Sequence, residues 1–173
     1  GELHTKTIYD TATLAGKLGV KKLVMMSGLP AGAPGDKTPN WFTSTVSWPD
    51  YMVESVRYQW EDVAIPWWKA FVGHCKKNGV EQIAIEEFPC QLVHNPETLW
   101  KLRNAVDPMI GMNMDPSHLM VMGADPIAGL RNLEGAIYHI HGKDARIERG
   151  LCDINGLTET KPVTDSKNRT WNY

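Results

Sequence analysis

The feature that most constrains the fold is a regular alternation of short apolar runs with segments of helical periodicity. The runs have strand length and lie at residues 22–27, 82–86, 109–115 and 136–141. Apolar residues that recur every three to four positions predict helices over residues 2–18, 51–63, 67–77, 96–106 and 126–133. Strands that alternate with helices predict right-handed βαβ units and a parallel sheet, so the expected fold class is α/β.

The connecting segments carry their own signals. Residues 28–49 are rich in Gly, Pro, Asn and Ser and are predicted as one long loop, a kind of segment that is usually functional. Pro66 is expected to kink or restart the helical segment around it. Asn95 followed by Pro96 predicts a helix start. Residues 142–173 are polar and irregular, and no element is predicted there.

Composition argues against several classes of protein. The 18 Lys and Arg residues against 20 Asp and Glu give a formal charge of −2, which disfavours a dedicated nucleic-acid binder. No apolar run approaches the roughly 18–20 residues of a membrane span, so no membrane partner is expected. Cys75, Cys90 and Cys152 are widely spaced and form no disulfide framework, which favours a reducing, cytoplasmic location.

Three consecutive predicted strands end in side chains that bind metals: Glu86, Asp115 and His141. Because the carboxyl ends of parallel strands share one edge, we expect these groups to converge. The two-residue period of a strand places Asn113 with Asp115, and His139 with His141, on the same side. Two carboxylates and an imidazole suit Mn²⁺, Mg²⁺ or Co²⁺, and Zn²⁺ also accepts such a set.

Each of these residues also has a purely structural interpretation. Glu86 alone could be a solvated strand terminus, and Asp115 before Pro116 could be a helix or turn cap. His141 alone could be a core histidine with satisfied hydrogen bonds. The joint pattern on three strands favours the metal site.

Three strings resemble the sugar-phosphate isomerase/epimerase superfamily, the xylose isomerase-like TIM barrels: EEFP at 86–89, NMDPSHL at 113–119 and YHIHGKD at 138–144. The resemblance extends over essentially all 173 residues. It implies a single partial (β/α)₈-barrel domain over residues 1–173, with about four βα units and without the first strands and the last strand. A complete barrel typically needs about 250 residues. We therefore expect an internal fragment, inactive by itself, whose exposed sheet edges could pair with a second copy in a homo-oligomer.

The resemblance also implies roles for individual residues. Glu86, Asp115 and His141 match three of the four metal ligands of the family, and the fourth would come from a strand beyond residue 173. His118 matches a histidine near the metal that often contacts substrate. Phe88 stands where the family often has another histidine.

Two cations and one aromatic residue complete the predicted site. Lys143 and Arg146 match cations that face the substrate. Trp41, in the long loop, could be an apolar wall against a sugar or an anchor for the loop. Glu87 is a second acid next to Glu86, and we choose Glu86 as the ligand because it directly ends the Ile-Ala-Ile run.

The implied activity is isomerisation or epimerisation of a small sugar or sugar phosphate. A proton next to a carbonyl would be removed to give an enediolate, with Glu86 or the absent fourth ligand as acid and base. A lyase or dehydratase that acts on keto-sugars begins with the same deprotonation and stays open. So does a non-catalytic metal-binding subunit. Measurements of metal affinity and of substrate turnover would distinguish these interpretations.

Overall fold

The computed structural model describes residues 2–44 and 50–173, so the last five residues of the predicted loop lie outside the described part. A four-stranded parallel sheet forms its centre, in the order β1–β2–β3–β4. The strands are β1 (Lys22–Met26), β2 (Gln82–Glu86), β3 (Ile110–Met114) and β4 (Ile137–Ile140). Their order in the sheet is their order in the chain, as expected for successive βαβ units. The α/β class is confirmed.

Helices precede and connect the strands, and most agree with the predicted helices to within two residues. They are α1 (Glu2–Lys17), α2 (Tyr51–Arg57), α3 (Ile65–Lys77), α4 (Pro96–Val106), α5 (Pro116–Val121), α6 (Pro126–Asn132) and α7 (Arg149–Asn155). No helix among the described residues has both the length and the apolar character that crossing a membrane requires.

The helical run before β2 changes type where a kink or restart was predicted. A π-helical segment, Tyr58–Ala64, links α2 to α3, and the Ile65 amide donates to the Trp60 carbonyl five residues back. Pro66 is the second residue of α3, directly after the π-helical segment, and it has no N–H to donate to the preceding turn. The run therefore continues to Lys77 without a break in the chain of helical turns.

The two faces of the sheet differ. Ile83 and Ile85 of β2 are fully buried in the hydrophobic core together with Trp68 and Phe71 of α3. Because side chains alternate along a strand, Glu86 points to the opposite face. The register places the following residues on that face, which we call the open face: Val24, Met26, Ala84, Glu86, Gly111, Asn113 and His139.

Two parts of the structure were not predicted. Within residues 142–173, β5 (Arg146–Ile147) and β6 (Trp171–Asn172) pair antiparallel, and α7 lies between them, so the prediction of no element there was wrong. Strands of two residues are too short to show a two-residue period. The short helix α5 also went unpredicted, because its six residues form fewer than two turns.

Candidate metal centre

The carboxyl ends of β2, β3 and β4 bring together an acid–imidazole cluster, which consists of Glu86, Asp115, His118 and His141. Glu86 is the last residue of β2, and Asp115 follows β3 directly. His141 follows β4, and its backbone amide donates to the Met114 carbonyl at 2.9 Å, which extends the β3–β4 pairing to the cluster. Sheet geometry alone thus places three of the four side chains at one edge.

The imidazoles face both carboxylates. Nε2 of His118 lies 3.1 Å from Oε1 of Glu86 and 3.3 Å from Oδ2 of Asp115. Nδ1 of His141 lies 3.3 Å from the same Glu86 oxygen and 4.0 Å from the same Asp115 oxygen. One ligand atom each from Glu86, Asp115 and His118 lie within 4.8 Å of one another, as a shared cation requires.

The two oxygens of Asp115 have different partners. Oδ1 accepts hydrogen bonds from the Ser117 amide at 3.0 Å and the Ser117 hydroxyl at 2.5 Å, so the residue caps α5 as well. Oδ2 is buried and forms an ion pair with the Lys143 ammonium, 3.1 Å away. Burial raises the pKa of Asp115, but the Ser117 and Lys143 contacts outweigh it and hold the pKa below its ordinary value.

The His118 ring is fully buried between two aromatic side chains. The Phe88 ring centroid lies 4.3 Å away and that of Tyr173 lies 5.2 Å away, both edge-on. Nδ1 is 2.6 Å from the Tyr173 hydroxyl. Burial lowers the pKa of His118 and the Asp115 carboxylate opposes that shift, and the net direction is below the ordinary value of an imidazole.

Glu87 supports the cluster from behind the sheet. Its side chain is fully buried, and Oε1 accepts the Asp115 backbone amide at 2.9 Å. Burial raises the pKa of Glu87 to about 8, so the group is mostly a neutral acid at pH 7. The two adjacent glutamates therefore have separate tasks: Glu86 faces the cluster and Glu87 holds the backbone of Asp115.

Comparison with known proteins decides the family. A model of the family described as "Xylose isomerase-like TIM barrel" matches residues 2–160. The chain belongs to this family.

A curated relative and two solved structures extend the comparison. YfiH of Bacillus subtilis (strain 168), described as an uncharacterized protein, is 61% identical over all 173 residues, which cover 55% of its length. The probable 3-DHS dehydratase AsbF of Bacillus anthracis, involved in petrobactin synthesis, is 19% identical, with a TM-score of 0.54 over 89% of this chain and 48% of that one. A Mycobacterium smegmatis xylose isomerase-like TIM barrel protein in complex with magnesium is 18% identical, with a TM-score of 0.58 over 87% and 48%.

These matches establish the architecture. The chain has the α/β fold of a TIM barrel, and its described residues form four parallel strands of such a barrel. It spans about half the length of the relative and of the two structures.

The remaining residues predicted from the family resemblance lie in three different places. Lys143 is beside the cluster, 3.1 Å from both the Asp115 carboxylate and Nε2 of His118. Arg146 is exposed, and its guanidinium pairs with Glu148 at 2.5 Å. Trp41 lines a separate cavity of about 380 Å³, where its ring centroid lies 5.4 Å from that of His94.

Three residues that shape the cluster were not predicted: Glu87, Ser117 and Tyr173. Ser117 follows Asp115 by two positions, and an Asp-Pro-Ser sequence is a recognisable signal for a helix cap, so this contact could have been found. Tyr173 lies 55 positions from His118 in the chain, and no local pattern indicates that contact. Burial raises the pKa of Tyr173 to about 12, which keeps its hydroxyl protonated.

Proposed function

We propose that this chain carries the metal-binding edge of a divalent-metal-dependent sugar or sugar-phosphate isomerase or epimerase. The observation that carries the proposal is the convergence of two carboxylates and two imidazoles on one point at the carboxyl edge of a parallel sheet. Active sites of barrels of this type lie at that edge.

The side chains fit a divalent cation. Oδ2 of Asp115 is buried and turns towards the same point as Oε1 of Glu86, because Nε2 of His118 lies 3.3 Å from the first oxygen and 3.1 Å from the second. Two hard oxygen donors with imidazole nitrogen suit Mn²⁺, Mg²⁺ or Co²⁺, and Zn²⁺ also accepts this set. Glu86, Asp115 and His141 are the proposed ligands, and His118 lies close enough to both carboxylates to join or replace His141.

When bound, the cation would polarise a substrate carbonyl and favour loss of the neighbouring proton. Glu86, which is mostly buried, would take that proton from carbon and return it at the neighbouring carbon in an isomerisation. An epimerisation would need a second acid on the opposite face of the substrate, a role for the fourth ligand that the family resemblance implies. The Lys143 ammonium and His118 would hold the substrate oxygens, because both point into the same space as the carboxylates. Apolar neighbours such as Phe88 keep bulk water from His118.

Cation binding is tested by substitution of Asp115. Asp115→Asn keeps an oxygen that can cap α5 but removes the charge. Outer-shell changes already weaken metal binding 10- to 100-fold, so loss of this ligand should raise the Mn²⁺ dissociation constant by more than about 100-fold. Asp125→Asn is the matched control, since Asp125 also precedes a proline and caps a short helix, α6. Equal affinity in the wild-type protein and both variants would remove the metal site from the proposal.

Turnover is tested by exchange of the proton next to the carbonyl. The full-length protein with Mn²⁺ is incubated in D₂O with a panel of ketoses and ketose phosphates, and deuterium uptake is followed by NMR. Uptake that Glu86→Gln abolishes supports the isomerase or epimerase. Uptake accompanied by loss of water from the substrate identifies a dehydratase instead, and tight Mn²⁺ binding without uptake identifies a non-catalytic metal-binding protein.

A further inference from the structure

We propose that Tyr173 is a positioning residue of the proposed centre: its hydroxyl oxygen accepts the Nδ1–H of His118 and so directs the Nε2 lone pair of that ring towards the cation site. The proposal rests on the proposed function, because it assumes a cation site next to His118. Its central measurement needs neither a bound metal nor a substrate.

The contact between the two side chains is close and well oriented. The Tyr173 oxygen lies 2.6 Å from Nδ1 of His118, and the two rings are perpendicular, at 87°. Among the described residues, no other side chain forms a hydrogen bond with that nitrogen. The other ring nitrogen, Nε2, faces Glu86 and Lys143, each at 3.1 Å. Within the described part of the chain, the Tyr173 hydroxyl is therefore the one side-chain group that can fix the orientation of the ring through Nδ1.

The neighbours of Nε2 decide which nitrogen carries the proton. A neutral imidazole has a single N–H, and an ammonium group can only donate. The Lys143 ammonium beside Nε2 therefore favours the lone pair there, as a divalent cation would. The Glu86 carboxylate favours the opposite tautomer, with Nε2–H donated to Oε1. A phenol can donate or accept a hydrogen bond. In the proposed arrangement the Tyr173 oxygen accepts from Nδ1, which tips this balance towards the form that can bind a cation.

The carboxyl-terminal segment holds the tyrosine in place. Tyr173 directly follows β6, which pairs with β5, and its ring lies 5.2 Å from that of Trp171. The Trp171 indole N–H donates to the Leu157 carbonyl at 2.9 Å. The Lys143 ammonium lies 4.1 Å above the Tyr173 ring, so the same side chain contacts both the tyrosine and the histidine.

The test is direct observation of the His118 tautomer. The full-length, metal-free protein is labelled with ¹⁵N-histidine, its His118 signals are assigned with a His118→Gln variant, and long-range ¹H–¹⁵N spectra are recorded at pH 7. We expect the Nδ1–H form in the wild-type protein and its loss in Tyr173→Phe. This variant keeps the aromatic ring and its contacts with His118 and Trp171. Tyr138→Phe is the matched control, because its hydroxyl oxygen also accepts a hydrogen bond, from Nη1 of Arg103 at 2.9 Å, outside the cluster.

A second variant separates the tyrosine from the lysine. In Lys143→Met the Nδ1–H form should survive, because Tyr173 alone then selects it. An Nε2–H tautomer in the wild-type protein, survival of Nδ1–H in Tyr173→Phe, or its loss in Lys143→Met would overturn the proposal.

Metal affinity links the tautomer to the centre. Tyr173→Phe should raise the Mn²⁺ dissociation constant about 10-fold, and Tyr138→Phe should leave it unchanged. An unchanged constant in Tyr173→Phe would overturn the claim that the tyrosine prepares His118 for a cation. If the wild-type protein binds no Mn²⁺ while the tautomer results hold, the proposed function fails and the positioning of His118 by Tyr173 stands.

Discussion

At the residue scale, two adjacent glutamates show how one strand can separate two tasks. Glu86 and Glu87 are neighbours in sequence, but successive side chains along an extended segment point in opposite directions. Glu86 reaches the acid–imidazole cluster, whereas Glu87 is fully buried and accepts the backbone amide of Asp115. The first residue contributes charge to the open face, and the second contributes an acceptor to the interior.

This separation predicts different losses on substitution. Glu87→Gln keeps an oxygen for the Asp115 amide, so we expect its free energy of unfolding to change by less than about 1 kcal/mol. Glu87→Leu leaves that amide buried without a partner and should destabilise the protein by about 1–3 kcal/mol. Urea denaturation measures both variants. Glu86→Gln serves as the reference, with weakened Mn²⁺ binding at nearly unchanged stability, and equal destabilisation by Gln and Leu at position 87 would contradict the argument.

The same two residues show what a sequence reveals about a site. The match of Glu86 to the family position and its place at the end of the Ile-Ala-Ile run selected it over Glu87. The burial of Glu87 and its bond to Asp115 depend on the packing of two strands, which no local pattern encodes. The contact of Tyr173 with His118 joins residues that lie 55 positions apart in the chain, so no local sequence pattern could have predicted it.

At the element scale, one carboxylate holds the irregular carboxyl-terminal segment together. Oε1 of Glu159 accepts the Lys161 amide at 2.8 Å, and Oε2 accepts the Thr170 amide at 2.9 Å. The Thr170 carbonyl in turn accepts the Glu148 amide at 2.9 Å, next to β5. Such a network can order a segment that has few apolar residues, which explains why hydrophobic periodicity predicted no element there.

This network predicts a local loss of order in acid. The backbone hydrogen bonds from Lys161 and Thr170 lower the pKa of Glu159 to about 2, from an ordinary value of 4.5. Because the folded-state pKa is the lower one, the stabilisation is present above pH 4.5 and disappears as the pH falls towards 2. The protection factors of the β5 and β6 amides, which compare exchange with the intrinsic rate at each pH, should fall over that range and should already be low at pH 7 in Glu159→Gln. Glu134→Gln, an exposed acid outside the segment, should exchange as the wild type does, and the same behaviour in Glu159→Gln would contradict the prediction.

The pairing of β3 with β4 gives a second test at this scale. A Cβ on Gly111 would lie 2.3 Å from the Tyr138 ring and 2.6 Å from the Ala136 carbonyl oxygen. The carbonyl accepts the Met112 amide and cannot retreat without breaking the ladder. Gly111→Ala should therefore cost about 3 kcal/mol in thermal or urea unfolding. Gly73→Ala, in α3 with no atom near its added methyl, should be neutral or stabilising, and a neutral Gly111→Ala would show that the strands can shift apart.

Secondary structure was predictable where elements are long or strongly apolar. The bounds of β2 agree with the predicted strand, because its three central residues form an uninterrupted apolar run. The type of helix between residues 58 and 64 was not predictable, because the π-helical hydrogen bonds there depend on the position of Pro66 in the helical run. β5 and β6 were missed because each contributes only two residues to a pairing that bridges 24 positions or more.

At the scale of the whole molecule, the open face presents apolar side chains beside an unpaired sheet edge. Val24 and Met26 of β1 are 45% and 40% exposed, and they lie on the same face as Glu86. Among the described residues, β1 pairs only with β2 and β4 only with β3. In a closed barrel, both edges would be paired and this face would be interior. The proposed metal centre therefore lies at the rim of a face that the described residues leave uncovered.

This arrangement predicts how residues 1–173 behave when expressed alone. An apolar open face between two unpaired sheet edges favours contact with a second copy, so we expect concentration-dependent association in sedimentation velocity experiments. Val24→Lys places a charge on that face and should weaken the association. Leu14→Lys, at an apolar side chain of α1 that is 55% exposed, should not weaken it. If the polypeptide stays monomeric at all concentrations and retains its circular dichroism, the open face needs no cover and the four parallel strands are stable without the rest of a barrel.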